Sequence, residues 1–191
     1  MKHIYFIILL LFPVSAQAGE NILMPMMGFS NWSDDTGHTA QGVNINFEND
    51  NDITFGFKYL YMFDSGFAIG GNAYLYDKDV NTIIQASDAG VLHVHALAEY
   101  YFNSSGSVSP YVGAGLGFTA IGFNGGLLDE ETTAGESIEL NGGILFRVSD
   151  TIGINLEYKY TDFDVDEDIN GLRTDIDTES HSILVGVSIH L

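Results

Sequence analysis

Acidic and amide side chains over residues 166–177 have the spacing of a calcium-binding loop. Asp166, Asp168 and Asn170 alternate along the chain, Gly171 follows directly, and Asp177 stands where such loops carry their last carboxylate. In these loops the alternate oxygens converge on the ion and the glycine permits a sharp turn. The pattern predicts a calcium site, although glutamate is the usual last residue and helices are the usual flanks. The alternative is a solvated acidic connection, and no other cofactor is expected.

Two histidines one residue apart, His93 and His95, could act as metal ligands or as general bases. A metal site needs further ligands, and a nucleophilic site needs a serine beside the histidine. Sequence spacing places only Glu99 on the same face, so we expect a satisfied interior histidine pair. The neighbours His181 and Ser182 point to opposite faces of a strand and do not form a catalytic pair.

The elements that position these residues have hydrophobicity of period two. From Ile53 to Phe63 the odd positions are all apolar or aromatic, while the even positions are small, polar or mixed. A strand places these two sets on opposite faces. Similar segments recur along the chain and predict eight strands, at 22–33, 53–63, 67–77, 91–102, 110–123, 137–148, 152–162 and 180–191.

The connections between these strands alternate in length. Those at 64–66, 103–109 and 149–151 are short, and those at 34–52, 78–90, 124–136 and 163–179 are long. Short turns on one side and long loops on the other are typical of outer-membrane barrels. The predicted fold is therefore all-β, an eight-stranded antiparallel up-and-down transmembrane β-barrel. A soluble lipocalin-like barrel or sandwich is the alternative, but its apolar faces would point inward.

The N-terminal residues have the pattern of an export signal. Lys2 precedes an apolar run over 4–12, and Ala16-Gln17-Ala18 is a small-x-small cleavage site. We expect residues 1–18 to be removed and 19–191 to form one barrel domain. The chain contains no cysteine, which excludes disulfides and thiol catalysis.

Alternation places several charged side chains inside the predicted barrel. An eight-stranded barrel has an interior just wide enough for side chains to fill, so these charges must pair. Three bases and three acids predict a self-neutralising plug, with an ion pathway as the alternative. Arg147 is expected to pair with Glu157, two register positions away across the 149–151 turn, or with Glu99. The predicted network is Lys58, Glu99, Glu139, Arg147, Glu157 and Lys159.

Two motifs resemble those of the OmpA-like and opacity-type small outer-membrane barrels. The stretch 109–118, Ser-Pro-Tyr-Val-Gly-Ala-Gly-Leu-Gly-Phe, is similar to a signature strand of that family. The C-terminal Gly-Val-Ser-Ile-His-Leu over 186–191 is similar to the signal read by the barrel-assembly machinery, with Leu191 in place of the usual aromatic residue. The resemblance implies a Gram-negative outer-membrane location. It leaves function open, because the family includes anchors, adhesins, resistance factors and lipid-modifying enzymes.

Charge is concentrated in the predicted long connections. The formal net charge is −20, from 26 acidic and 6 basic residues, and most of the acids lie between the strands or at their edges. This field argues against nucleic acid and anionic substrates and favours cations. We expect a non-enzymatic structural or surface-interaction protein whose partners are outer-membrane lipids, lipopolysaccharide and an unidentified surface ligand. The alternatives are a lipid A-modifying hydrolase or acyltransferase and a narrow cation channel.

Overall fold

The computed structural model describes residues 19–32, 39–40, 43–47, 51–82, 86–124, 132–169 and 172–191. Side chains are described over 19–32, 51–77, 90–122, 134–164 and 178–191. The predicted export signal lies outside these residues. No helix in the described ranges is long and apolar enough to cross a membrane.

Ten strands follow one another along the described chain. Eight are long and two are short pieces between the first and second long strands. They are β1 (Gly19–Trp32), β2 (Thr39–Ala40), β3 (Val43–Phe47), β4 (Asp52–Phe63), β5 (Phe67–Thr82), β6 (Ala86–Tyr101), β7 (Val108–Asn124), β8 (Thr132–Arg147), β9 (Ile152–Ile169) and β10 (Leu172–His190).

The eight long strands form a closed ring. Each pairs in antiparallel register with the next along the chain, and β1 pairs with β10 to join the two ends. The short strand β3 pairs with the far end of β5, where Phe47 lies opposite Val80. The predicted eight-stranded up-and-down barrel is confirmed.

The wall of the barrel is apolar on the outside. On β4 the side chain of Phe57 is 48% exposed and that of Lys58 is fully buried, and on β10 Val185 is 50% exposed while Leu184 is fully buried. Because strand side chains alternate, one face of every long strand lines the lumen and the other forms an outward apolar band. This arrangement is the reverse of a soluble barrel and matches a wall surrounded by lipid.

Three tight turns close one end of the barrel, which we call the short-turn end. In the first, the Gly66 amide donates to the Phe63 carbonyl over 2.9 Å, and Gly66 has a φ of 83°. A Cβ at Gly66 would also lie 2.5 Å from the Tyr101 carbonyl oxygen, so only glycine suits this turn. The others join β6 to β7 and β8 to β9. In outer-membrane barrels such turns face the periplasm.

The strands extend further toward the opposite, loop end than the sequence predicts. The long connection predicted at 163–179 is wrong, because β9 continues to Ile169, β10 starts at Leu172, and Asp175 pairs with Asp166 between them. The outward apolar residues stop where the strand would leave the lipid. Backbone pairing does not need apolar side chains, so the strand can continue beyond that point. The predicted strand ends therefore mark the edge of the apolar band.

Candidate functional site: a charge network in the lumen

Five charged side chains from four strands meet inside the barrel, and we call them the lumen network. Alternation along each strand points them inward, and each is at most 1% exposed. The strands are neighbours around the narrow ring or face each other across it, so long side chains can reach between them. The members are Lys58 on β4, Glu99 on β6, Glu139 on β8, and Glu157 and Lys159 on β9.

Lys58 joins two carboxylates that come from opposite sides of the lumen. Its Nζ donates to Glu99 Oε1 over 2.6 Å and to Glu157 Oε2. The phenol of Tyr101 donates to Glu99 over 2.9 Å, and that of Tyr111 donates to Glu157 over 2.6 Å. Charge-assisted bonds of this kind offset the desolvation of three buried charges.

Lys159 connects this group to a third carboxylate. Its Nζ lies 2.8 Å from Glu139 Oε1 and 3.0 Å from Glu157 Oε1. Asn72 donates to both oxygens of Glu139, over 3.0 and 2.9 Å, and Asn141 donates to both Glu99 and Glu139. The five predicted residues therefore form one continuous network.

Arg147 does not belong to this network, and its predicted pairing with Glu157 or Glu99 is wrong. Arg147 lies opposite Gly153 in the β8–β9 register, four residues from Glu157 rather than two. Its guanidinium donates to Glu20 over 3.2 and 2.9 Å, and the same carboxylate contacts His190. We call Glu20, Arg147 and His190 the short-turn clasp. The predicted first strand began at residue 22, so it gave Glu20 no inward position.

His95 joins the lumen network, and sequence spacing did not identify its partners. The His95 Nε2 atom lies 2.9 Å from Ser137 Oγ, and Nδ1 lies 3.0 Å from Glu139 Oε2. Both partners are on β8, beyond the intervening strand β7. His95 reaches them because the residue of β7 opposite it is Gly117, which has no side chain to block the path. The inward glycines at 113, 115 and 117 were the feature of the sequence that could have indicated contacts between β6 and β8 across β7.

His93 has a separate, uncharged environment. One ring nitrogen, Nδ1, lies 2.6 Å from Thr119 Oγ1, and the other, Nε2, lies 3.1 Å from the Tyr76 hydroxyl. The ring stacks on Tyr74 with a centroid separation of 4.5 Å. The two histidines share a face but have different partners, so they do not form a joint metal or catalytic site.

The order Ser137, His95, Glu139 is that of a nucleophile, a base and an orienting acid. All three side chains are inside the lumen, where Ser137 is 4% and His95 2% exposed. Ser137 lies in the paired part of β8, opposite Gly117 on one side and Phe163 on the other. Its surrounding backbone amides belong to those ladders, so they do not form an oxyanion hole. The geometry supports hydrogen bonding and proton sharing.

Uncharged layers lie on both sides of the lumen network. Toward the short-turn end the lumen is packed with apolar side chains, including Ile22, Leu60 and Leu145. Toward the loop end, Trp32 donates to the Tyr76 hydroxyl over 2.7 Å and packs edge-on against Phe163 at 5.3 Å. The charges are thus enclosed between an apolar layer and an aromatic layer.

The side chains of the predicted calcium ligands lie outside the described residues. Asp166 and Asp168 are in β9 and Asp177 is in β10, but their side chains and all of Asn170 are outside the described residues. Within the described side chains, no three His, Asp or Glu residues are grouped to hold a metal ion. Calcium binding by this segment stays a prediction, and its described backbone, up to Ile169 and from Leu172, is paired strand.

Acidic residues do pair across strands on the outward surface near the loop end. Glu136 on β8 lies opposite Asp164 on β9, and Asp162 lies opposite Glu179 on β10. Glu136, Asp162 and Asp164 are exposed. Like charges directly opposite one another destabilise a sheet unless counter-ions screen them. We call these four residues the outer acidic rows.

Comparison with known proteins agrees with this geometry. The family model for the outer membrane protein beta-barrel domain matches residues 4–190. No curated protein matches the chain by sequence. Among solved structures, Neisserial surface protein A has a TM-score of 0.65 at 13% identity, covering 88% of this chain and 96% of its own.

Two further structures share the fold. OprG from Pseudomonas aeruginosa has a TM-score of 0.62 at 16% identity, with 92% of this chain and 98% of that chain covered. Ail from Yersinia pestis has a TM-score of 0.55 at 17% identity, with 92% and 100% covered. The family match spans nearly the whole chain, and the family resides in the outer membrane. This chain belongs to the family of outer membrane protein β-barrel domains.

Proposed function

We propose that this protein is a non-enzymatic outer-membrane barrel with a structural or surface-interaction role. The observation that carries the proposal is the filled lumen, in which the lumen network links opposite walls between an apolar layer and an aromatic layer. A barrel that is closed inside can act only through its outward surface and its loops. Sequence and geometry favour this role over the two alternatives.

A cation channel is less well supported. A permeating ion would have to pass the packed apolar layer and displace Lys58 and Lys159 from their carboxylates. It would then meet the buried aromatic layer around Trp32. Removing a partner from a buried ion pair is costly, so the network opposes conduction.

A lipid A-modifying enzyme is also less well supported. Such an enzyme must present its nucleophile to acyl chains outside the barrel, whereas Ser137 and His95 face the lumen. On the outward surface His181 contacts the Tyr158 hydroxyl over 2.8 Å, and the adjacent Ser182 faces inward to Ser30. A third pair, Ser188 and His190, lies 3.0 Å apart at the short-turn end, and both side chains are buried in the lumen. These three pairs are therefore not placed for that reaction.

The acidic loop end supports a cationic partner. The outer acidic rows lie just beyond the apolar band, at the height where lipopolysaccharide phosphates and their divalent cations would be found. Calcium or magnesium ions shared between these carboxylates and lipopolysaccharide would relieve the like-charge contacts. Ail is described in complex with a heparin analogue, sucrose octasulfate, but a chain of net charge −20 does not suit such an anion.

Proposed partners also include the barrel-assembly machinery. The outward residues Val187 and Ile189 of the last strand are exposed, as is Leu191 at 70%. The barrel-assembly machinery would recognise these alternating apolar residues while the last strand is still an open edge, before the barrel closes.

Planar-bilayer recording of the refolded protein tests the closed lumen. We expect no steady conductance steps, and regular steps from correctly folded protein would contradict the proposal.

Mass analysis of lipid A from cells with and without the protein tests the enzyme alternative. A change in acyl chains that depends on Ser137 would favour the enzyme.

Cation binding is tested by calorimetric titration of the folded protein with calcium and magnesium. The variant Glu136→Gln/Asp162→Asn/Asp164→Asn/Glu179→Gln should bind fewer divalent ions than the parent. The matched control is Glu20→Gln, which removes a carboxylate at the opposite end and should leave this binding unchanged. Equal binding by the parent and the quadruple variant would contradict a cation-linked surface role.

A further inference from the structure

The lumen network is one positive charge short. Its carboxylates are Glu99, Glu139 and Glu157, and its ammonium groups are Lys58 and Lys159, all with fully buried side chains. Arg147, which the sequence offered as the third base, pairs with Glu20 at the short-turn end. A buried charge without compensation is strongly unfavourable, so the network requires another cation or a proton.

His95 is placed to supply that charge. Its Nδ1 atom lies 3.0 Å from Glu139 Oε2, the oxygen that Lys159 does not contact, because Lys159 contacts Oε1. Its Nε2 atom lies 2.9 Å from Ser137 Oγ, which can accept a hydrogen bond. Nε2 therefore has a hydrogen-bond partner, while Nδ1 has none and lies within ion-pair distance of a carboxylate, which a positively charged ring would satisfy.

The other groups around His95 do not compete for this role. On β5, Tyr74 stacks at 6.0 Å and bonds Thr161, and on β6, His93 lies 6.1 Å away and bonds Thr119 and Tyr76. On β7 the facing residue is Gly117, which carries no charge. Glu139 on β8 is the charged group that His95 contacts, and Lys159 on β9 contacts the same carboxylate.

We propose that the lumen network is a proton-binding site in which His95 holds the proton at neutral pH and is the third positive charge. Glu139 then has one cation on each oxygen. The network is neutral in this state, and it becomes negative when His95 loses the proton. Because the protonated ring supplies the charge that the two lysines leave unbalanced, removal of the His95 side chain should destabilise the folded barrel.

Nitrogen NMR of protein labelled at histidine and folded in lipid bilayers tests the protonation state directly. At neutral pH we expect both His95 nitrogens to carry protons, whereas His93 should show one protonated and one bare nitrogen. The variant His95→Gln assigns the signal. A neutral His95 ring at neutral pH would overturn the proposal and would place the extra proton on a carboxylate.

Urea unfolding in lipid provides a second test. Near pH 7, His95→Gln should unfold at a lower urea concentration than the parent, and adding Glu139→Gln should restore much of the difference. At a pH where the nitrogen spectrum shows the His95 ring to be neutral, the difference in midpoint urea concentration between His95→Gln and the parent should narrow. The matched control His93→Gln should not show this pH-dependent gap. The same behaviour in both single variants would overturn the proposal, whether or not the lumen conducts ions.

Discussion

Lys58 illustrates how a single residue depends on its partners inside this barrel. Its ammonium group contacts Glu99 and Glu157 and is fully buried, so the pairs receive no help from water. Truncating one member leaves its partners charged and buried, which costs more than losing the whole group. The stabilising contribution therefore belongs to Lys58, Glu99 and Glu157 together and not to any one of them.

The variant Lys58→Met should destabilise the barrel by roughly 3–5 kcal/mol, because two buried carboxylates lose their cation. The triple variant Lys58→Met/Glu99→Gln/Glu157→Gln should recover much of that loss. The control is Arg147→Met, whose ion pair with Glu20 is 17% and 28% exposed and should contribute less. Urea titration in lipid vesicles, followed by Trp32 fluorescence, measures all three. Equal losses in Lys58→Met and the triple variant would show that the charges do not act together.

Sequence predicted which way each network residue points but not which residues meet. Period-two alternation is a local property, so it correctly placed Lys58 and Glu157 inside. Pairing across the lumen depends on the register of distant strands. Arg147 was assigned to Glu157 from a register count that the structure corrects, and Ser137 was missed because it lies two strands away from His95.

At the level of strands, β7 makes the site possible because it has glycines at the inward positions over which side chains of β6 reach β8. Its inward residues include Gly113, Gly115 and Gly117, and His95 passes over Gly117 to reach β8. A Cβ built on Gly117 would lie 1.9 Å from the Val94 carbonyl oxygen and 2.8 Å from the His95 ring. The strand is therefore adapted to close contact with β6.

Gly117→Ala should reduce the yield of folded barrel sharply, because the added methyl group collides with backbone as well as with His95. The control is Gly142→Ala on the outward face of β8, where an added Cβ would lie at least 3.5 Å from its neighbours. Folded and unfolded fractions can be separated by gel mobility without heating, since closed barrels resist detergent. Normal folding of Gly117→Ala would show that β7 can move away from β6.

Strand number and order were predictable because apolar alternation and turn residues are strong signals. Strand length was less predictable than strand number and order. The strand β5 continues to Thr82, and β10 already starts at Leu172. The residues added at the loop end are rich in acidic and polar side chains, with only single apolar residues such as Val80, Val165 and Ile176 among them. The paired backbone there therefore resembles a connection in the sequence.

Over the whole molecule, the outward apolar band fixes the position of the barrel in the bilayer. Phe57, Leu156 and Val185 are about half exposed around the ring, while charged side chains lie inside the lumen or near the ends. Such a surface is stable only in contact with lipid.

Phe57→Arg should destabilise the barrel by about 2–4 kcal/mol if this residue lies near the middle of the bilayer. Tyr61→Arg is the control on the same strand and face, because Tyr61 lies close to the short-turn end and the cost falls to about 0–1 kcal/mol near the interface. Unfolding in lipid vesicles compares the two. Equal costs would mean that depth does not change along this face of β4.

The pairing of β1 with β10 has a consequence for the order of events during biogenesis. The two strands come from opposite ends of the described chain, and the Asn21 and Leu191 backbones bond over 3.3 and 2.9 Å. The ring can therefore shut only after the last strand has been delivered, and contacts of such long sequence separation form slowly. A chain cut short during synthesis would keep two open strand edges, which invite association with other chains. Ring closure thus distinguishes a finished barrel, which has no open strand edge, from a fragment, which has two.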